Sequence, residues 1–191
     1  MRYDPEQKTQ THQRIVRNAA RSLRAKGVSG AGVAGIMKAS GLTVGGFYKH
    51  FRSKDELLAE AIAQGFSEFD ERFRTSLQDV PQEDRWKEIV RWYLSPEHCS
   101  HPETGCPVTA LAADISRTKV TVRRRIAGLL KEQNARLAEF MPGATAEERE
   151  QNTTVIFSAM SGALAVARIL TEQADRKKVL ETTRDYLLRS F

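Results

Sequence analysis

The chain has 191 residues, of which 40% are hydrophobic, and a formal net charge of +6, so it can bury one large core or two small ones. Its two cysteines are too few for the disulfide framework of a small secreted domain, and residues 1–25 lack the apolar stretch of a signal peptide. The most apolar stretch, residues 155–170, is interrupted by Ser, Gly and Arg and is too short for a membrane span, so we expect a cytoplasmic protein with no membrane partner.

Hydrophobic residues recur at helical spacing along nearly the whole chain, and no segment with a period of two is bounded by turn residues. The sequence therefore predicts an all-α fold of about nine helices. We expect them at about residues 6–26, 33–40, 43–50, 53–73, 83–94, 107–116, 120–141, 146–172 and 176–190. Gly27 and Gly41 are the expected stops of the first two helices, and Ser53 is the expected cap of the fourth.

The second and third predicted helices are joined by a short turn containing Gly41, with the Thr43 hydroxyl placed to cap the third. Such a pair forms a helix-turn-helix, whose second helix enters the major groove of DNA. Helical spacing sends Phe47 and Phe51 inward. The candidate DNA-binding residues are Thr43, Val44, Gly45, Gly46, Tyr48, Lys49, His50 and Lys54. Gly45 and Gly46 either let the backbone approach DNA closely or simply weaken this helix.

Charge is distributed unevenly between the two ends of the chain. Residues 1–54 hold eleven Lys or Arg against two acidic residues, whereas residues 55–191 hold 19 against 22. Lys54 lies in the first turn of a helix, where a cation opposes the helix dipole but suits a helix end that faces phosphate. This pattern is typical of a phosphate-binding module attached to a domain with another task. The predicted division is a DNA-binding domain at 1–52 and a helical ligand-binding and dimerisation domain at 53–191.

The Tyr-Lys-His-Phe sequence of residues 48–51, followed by Ser53-Lys54 and the acidic-Leu start of a long helix, resembles the DNA-binding domain of the TetR/AcrR family. The resemblance covers about residues 15–62. It implies a homodimer that binds a pseudo-palindromic operator and is released from it by a small-molecule ligand. The sequence departs from the family at three places: Ala31-Gly32 replaces a Thr or Ser that caps the second helix, Gly45-Gly46 replaces bulkier residues, and Arg52 replaces Pro. Ser29 is a candidate replacement for the missing cap.

The predicted eighth helix is apolar or small on more than one face, so it must be buried on more than one side. The family resemblance implies that the last two helices pair with those of a second subunit as a four-helix bundle. The candidate dimer residues are Ser158, Gly162, Ala163, Val166, Val179, Tyr186 and Leu187. The alternative is a helix buried entirely within one chain.

Aromatic residues and Met cluster on the predicted fifth, seventh and eighth helices, which favours a pocket for an apolar or aromatic effector. The candidate ligand-binding residues are Trp86, Trp92, Tyr93, Phe140, Phe157 and Met160. The alternative is that these side chains are ordinary core residues.

Two cysteines and two histidines fall in one loop, as His98, Cys99, His101 and Cys106. Cys106 precedes Pro107 at the start of a helix, a position that favours a thiolate and so a sensor of electrophiles or oxidants, with Cys99 as a second thiol. A metal site is a second hypothesis, although the spacing matches no common zinc module. The third is a structural Cys106 in a loop with incidental histidines.

The sequence contains no nucleotide-binding glycine loop, nucleophile elbow or HExxH pattern, so we expect neither an enzyme nor a cofactor. The function that these patterns favour is a ligand-responsive transcriptional repressor. The alternative is an architectural or partner-recruiting DNA-binding protein, which needs no ligand cavity and would have a closed, well-packed C-terminal core.

Overall fold

The structure is a computed structural model that describes residues 5–191, so the first four residues of the predicted N-terminal domain lie outside it. Within that range the chain folds into nine α-helices and three short 3-10 helices, without a β-strand, which confirms the all-α prediction. The α-helices are α1 (Pro5–Gly30), α2 (Val33–Ala39), α3 (Lys54–Ser76), α4 (Arg85–Tyr93), α5 (Pro96–Ser100), α6 (Pro107–Ser116), α7 (Val120–Ala138), α8 (Ala146–Ile169) and α9 (Gln173–Ser190). The 3-10 helices are Val44–Lys49, called the short helix below, Gln82–Asp84 and Pro102–Thr104.

Two of the expected helix boundaries follow the local signals in the sequence. Gly41 adopts φ +70°, a conformation that favours glycine, and this reversal lets the Leu42 N–H donate to the Met37 carbonyl at 2.9 Å. The Ser53 hydroxyl accepts a hydrogen bond from the Glu56 N–H at 3.1 Å and so caps α3, as expected.

Other local features differ from the expectation. Gly27, at φ +71°, kinks α1 instead of ending it, because the next N–H, that of Val28, is satisfied by the Asp114 carboxylate at 2.9 Å. The short helix is of the 3-10 type, and Thr43 caps it only through its backbone carbonyl. The predicted loop after residue 94 contains α5, a helix too short to show periodicity, which Ser95 caps.

The described residues bury two hydrophobic cores that share α3. The first core joins α1, α2 and the short helix to the start of α3 and to α6 and α7; its members include Ile15, Met37, Phe47, Phe51, Leu57, Ile62, Leu111, Val122 and Ile126. The second core joins the end of α3 to α4, α8 and α9; its members include Phe69, Ile89, Val90, Ile156, Met160, Leu164 and Leu187. The first core extends past residue 52, and the domain boundary at 52/53 stays a prediction.

Within residues 5–191, α8 is the one helix that is long and apolar enough to cross a membrane, judged by length and composition alone. This helix is longer than the apolar stretch of residues 155–170 because it begins at Ala146. Three of its residues, Ile156, Met160 and Leu164, are fully buried in the second core. The helix therefore already packs against the rest of the chain.

Candidate functional site

The short helix presents one face to solvent and anchors the other in the first core. Tyr48 is 75% exposed and Val44 54% exposed, whereas Phe47 and Phe51 are each 2% exposed. Burying each of those two rings stabilises this arrangement by about 2–3 kcal/mol. The predicted inward face is therefore the one observed, and Thr43, Gly45 and Lys49 are also exposed on the outer side. Gly46 and His50, which we expected to point outward, are half-buried.

The short helix is positioned through α2. The Asn18 side-chain amide donates to the Ala39 carbonyl at 3.1 Å and to the Ser40 hydroxyl at 3.0 Å, which ties the end of α2 to α1. Nothing inside the protein requires the two glycines of the short helix. A Cβ at Gly45 would meet no atom within 4 Å, and one at Gly46 would make an ordinary contact with Met37 at 3.7 Å.

His50 lies at the end of the short helix and is only half exposed. Burial, followed by the nearby charges of His12, Lys8 and Lys49, lowers the pKa of its imidazole. Its buried Nδ1 has no hydrogen-bond partner. The His50 ring is therefore placed at the end of the short helix with one nitrogen available for a hydrogen bond.

Lys54 is exposed at the start of α3, immediately after the capping residue Ser53. Asp55 and Glu56 follow in the first turn and complement the helix dipole that Lys54 opposes. At the start of α2 the capping residue is Gly32, with no side-chain cap, and Ser29 is exposed, so Ser29 does not supply the hydroxyl missing at residues 31 and 32.

A small enclosed cavity lies in the second core, among α3, α4, α7 and α8. Three of the six predicted ligand residues, Tyr93, Phe157 and Met160, line it. The remaining lining residues are Phe66, Phe69, Phe73, Ile89, Cys106, Gln133 and Leu137. The helical spacing of Phe66, Phe69 and Phe73 is visible in the sequence, but it indicates only a buried face on a linking helix and not a pocket wall.

The cavity volume is about 20 Å³, room for one water-sized molecule and not for an effector of several hundred Å³. Of its lining residues, Tyr93 is held by hydrogen bonds to groups outside the lining. The Tyr93 hydroxyl hydrogen-bonds to the hydroxyls of Thr109 at 2.7 Å and Ser161 at 3.0 Å. Burial raises the pKa of Tyr93 well above its usual range, so the phenol stays protonated.

The other three predicted ligand residues lie elsewhere. Trp86 and Phe140 border an open surface groove near Arg149, and Trp92 stacks on the His98 ring with the two ring centres 5.5 Å apart. Because they do not reach the cavity, they are not contacts for a molecule held there. Trp86 and Trp92 lie on α4, the predicted fifth helix, whereas Phe140 lies in the turn after α7, which ends at Ala138 and not at the expected residue 141. Sequence spacing could not decide which of these side chains meets the cavity.

His98 holds the cysteine loop in place and is not available to a metal. Its Nδ1 lies 2.7 Å from the Tyr93 carbonyl, to which it donates, and its Nε2 accepts the Cys106 N–H at 3.0 Å. Burial lowers the pKa of His98 to about 4, so the ring is neutral. Among residues 5–191 no group of three or more His, Cys, Asp or Glu side chains is placed to hold a metal ion.

Both cysteines are free and buried, Cys106 to 1% exposure and Cys99 to 7%. Cys106 lines the cavity and is the capping residue at the start of α6, as the sequence indicated. The Arg168 guanidinium donates to the carbonyls of His98 at 2.8 Å and Cys99 at 3.2 Å, which places a half-buried cation beside the loop. The thiol of Cys106 can thus be approached only from inside the cavity or by opening the loop.

An apolar stripe on α8 and α9 is left uncovered by the chain. Its most exposed members are Ile169 at 79%, Tyr186 at 64%, Val155 at 54% and Val166 at 48%. Of the seven predicted dimer residues, Ser158, Gly162, Val166 and Tyr186 are exposed and Val179 is half-buried. Ala163 and Leu187 are buried in the chain's own second core, and the sequence reasoning missed Val155 and Ile169.

Residues 15–61 match the family model for bacterial regulatory proteins of the tetR family. A TetR transcriptional regulator from Chloroflexus aurantiacus J-10-FL is 24% identical, with a TM-score of 0.77 over 96% of this chain and 95% of that one. E. coli NemR, in its reduced form, is 19% identical, with a TM-score of 0.76 over 94% and 96%. FadR from Bacillus subtilis in complex with stearoyl-CoA is 16% identical, with a TM-score of 0.68 over 94% and 99%.

The structural likeness thus extends over nearly the full length of each chain, and at these identities it shows a shared fold. No curated protein matches the chain. The family model coincides with the segment from α1 to the first turns of α3, which contains the exposed face of the short helix.

Proposed function

Because the chain belongs to the TetR/AcrR family of bacterial transcriptional regulators, we propose that it is a cytoplasmic, ligand-responsive repressor that binds a pseudo-palindromic operator as a homodimer. Proteins of this family are DNA-binding regulators and not enzymes. The observation that carries the proposal is the outer face of the short helix, where Tyr48 and Lys49 project from a buried Phe47 anchor.

On DNA, each group on that face has a distinct role. Tyr48, Lys49 and Lys54 bind backbone phosphates, which fixes the register of the short helix in the major groove. Thr43, Val44 and the Gly45–Gly46 backbone lie against base edges. His50 contributes a hydrogen bond through its ring at the end of the short helix.

The homodimer forms through the exposed stripe of α8 and α9. The four large apolar side chains at residues 155, 166, 169 and 186 would otherwise face water. Gly162 lies on the same stripe and leaves open space around its Cα, which allows a second helix to approach closely. Two short helices related by the dimer axis enter major grooves about one helical turn apart, roughly 34 Å.

The effector enters the cavity lined by Tyr93, Cys106 and Met160 and expands it, since the closed volume of about 20 Å³ cannot hold it. An apolar or aromatic molecule suits the lining, and a thiol-reactive one would meet Cys106. Two proteins of this fold support these routes by what their names state: FadR binds stearoyl-CoA, and NemR has a reduced form. By linkage, the effector binds the DNA-free state more tightly by the same factor by which it weakens operator binding.

The alternative function is an architectural or partner-recruiting DNA-binding protein, and the nearly closed core is the observation that favours it. The two functions differ in one measurable respect. A ligand-responsive repressor requires a small molecule that changes tryptophan fluorescence and operator affinity together, and Trp92, stacked on His98 and 5.2 Å from the Phe69 ring centre beside the cavity, is placed to report it. If no such compound is found among apolar and thiol-reactive molecules, the architectural function is the better account.

The DNA-binding function is tested with the Tyr48→Ala/Lys54→Ala double variant. Both side chains are exposed, so the fold should be retained while operator affinity falls and the dependence of affinity on salt becomes shallower. The measurement is fluorescence anisotropy on a DNA duplex selected from random sequence by the wild-type protein, at several salt concentrations. Lys178→Ala, an exposed lysine on α9, is the control. Unchanged affinity in the double variant would refute the assignment.

A further inference from the structure

A second basic surface lies outside the N-terminal segment. Five of the 19 basic residues after residue 54 fall within residues 117–125, and no acidic residue occurs from 115 to 131. The five, called the basic cluster below, are Arg117, Lys119, Arg123, Arg124 and Arg125, and all are exposed. The remainder of the chain after residue 54 holds 14 basic against 22 acidic residues, so the cluster stands out from an acidic background.

The basic cluster lies at the DNA-facing end of the molecule because α7 runs alongside α3 in the same direction. The Lys119 amine contacts the Asp55 carboxylate at 2.7 Å, and further along Gln133 donates to Asp70 at 3.4 Å. Val122 also packs into the first core. These contacts hold the start of α7 beside the start of α3, because Asp55 is the residue that follows Lys54. Later turns of α7 lie progressively farther from Lys54.

The position of these cations is unfavourable for the helix itself. Lys119 is the capping residue of α7, three arginines follow in its second turn, and no acidic residue occupies its first turn. Cations at a helix N-terminus oppose the helix dipole. Among the described residues, no carboxylate lies within ion-pair distance of Arg117, Arg124 or Arg125. The described part of the chain therefore leaves these three charges without an ion-pair partner.

We propose that the basic cluster is a second DNA-contacting surface, which binds backbone phosphates flanking the bases that the short helix reads. This inference rests on the proposed function. Phosphate contacts of this kind add affinity and salt dependence without adding sequence preference. The flanking duplex is the polyanion that would lie closest to the basic cluster, because a protein bound through the short helix and Lys54 already holds DNA at this end of the molecule.

The test uses the selected duplex in two lengths, one trimmed to its two half-sites and one extended by about ten base pairs, a helical turn, on each side. The wild-type protein should bind the extended duplex more tightly and with a steeper salt dependence. The Arg124→Ala/Arg125→Ala variant should lose that gain, with the slope of log K against log salt falling by about 0.9 for each phosphate that the variant no longer neutralises. Lys119 and Arg123 are left intact because they contact Asp55 and the Ser116 carbonyl.

The matched control is Lys131→Ala/Lys178→Ala, which also removes two exposed positive charges, one of them on α7 about 18 Å along the helix from Lys119. It should keep the gain from the flanks. The arginine variant should melt at the wild-type temperature or above, since it removes cations from a helix N-terminus.

A flank-dependent gain that survives in the arginine variant overturns the inference while leaving the proposed function intact, because the trimmed duplex still binds. The inference is also overturned if the arginine variant binds both duplexes as the wild type does but loses binding to phosphatidylserine vesicles. That outcome would assign the basic cluster to an anionic membrane. A wild-type protein that selects no duplex at all refutes both proposals.

Discussion

At the scale of single residues, His98 shows how a side chain that looks like a ligand becomes a structural element. Its two ring nitrogens are both used, one donating to the Tyr93 carbonyl and the other accepting from the Cys106 N–H. Protonation would convert the accepting nitrogen into a donor facing another donor. The neutral ring therefore connects α4 to the start of α6, and the fold excludes its charged form.

We expect the free energy of unfolding to fall as the pH is lowered from 6.5 to 4, because His98 binds a proton more weakly in the folded state than in the unfolded state. The pKa of His98 is about 4 in the folded state and about 6.5 when unfolded, so above pH 6.5 both states are neutral and His98 contributes no pH dependence. Between pH 6.5 and 4 only the unfolded state gains the proton, which lowers stability by about 3 kcal/mol. The change in the free energy of unfolding is measured by urea unfolding of the wild-type protein at pH 7 and at pH 4.

In the His98→Asn variant, the free energy of unfolding should fall by about 3 kcal/mol less between pH 7 and pH 4 than it does in the wild type. This difference is independent of the stability of the variant at pH 7. His101→Asn, which alters an exposed histidine three residues away, should behave as wild type does. In the wild-type protein, a His98 ring proton signal that shifts near pH 6.5 in an NMR titration would contradict this explanation.

At the scale of helices, α8 combines two faces with different tasks. One face contributes Ile156, Met160 and Leu164 to the second core, while the opposite face exposes Val166 and Ile169. The sequence indicates that both faces are apolar or small. It could not separate the core residue Ala163 from the exposed Gly162, because the two are adjacent on the helix.

Replacing Gly162 with Trp should convert the proposed dimer to a monomer. A Cβ at Gly162 meets no atom within 4 Å, so the chain tolerates the new side chain, but a second α8 cannot then approach closely. Sedimentation velocity at micromolar concentration measures the change. Gly128→Trp on α7, where a Cβ also meets no atom within 4 Å, should remain dimeric. A monomeric wild type, or a dimeric Gly162→Trp variant, would show that this stripe is not the interface.

At the scale of the whole molecule, two polar contacts connect α1 to α3, to α6 and to the segment between α5 and α6. Arg24 is 3% exposed; it forms an ion pair with Glu68 and donates to the carbonyls of Gly65 at 3.0 Å and Glu103 at 2.8 Å. Asp114 of α6 accepts from the Val28 N–H beyond the kink in α1. A shift of α3 or α6 around an expanded cavity would therefore displace α1 and, through it, the short helix.

The Arg24→Lys variant should be destabilised by about 2 kcal/mol or more, because a lysine keeps the charge but cannot reach three acceptors at once. Its urea unfolding should also separate into two transitions, since the two cores lose their shared anchor. Arg21→Lys, an exposed position on the same helix, is the control. Equal unfolding curves for the two variants would show that Arg24 does not connect the two hydrophobic cores.

The family, the all-helical class and the two faces of the short helix could be predicted from the sequence alone. They depend on signals that are local in the chain: helical periodicity, glycine stops, the Ser53 cap and the clustering of charge before residue 55. Each of these acts through neighbours within a few residues, so the order of residues is enough to specify it.

The lining of the cavity, the role of His98, the Arg24 connection and the position of the basic cluster were decided only by the tertiary structure. Arg24 contacts Glu103 across 79 residues, and Lys119 contacts Asp55 across 64. No periodicity within a helix encodes which distant helix its face will meet, because that depends on how whole helices pack. The sequence therefore could not separate Tyr93, which lines the cavity, from Trp86 and Trp92 of the same helix, which do not. The position of the α7 arginines beside the start of α3 likewise follows only from the packing of the two helices.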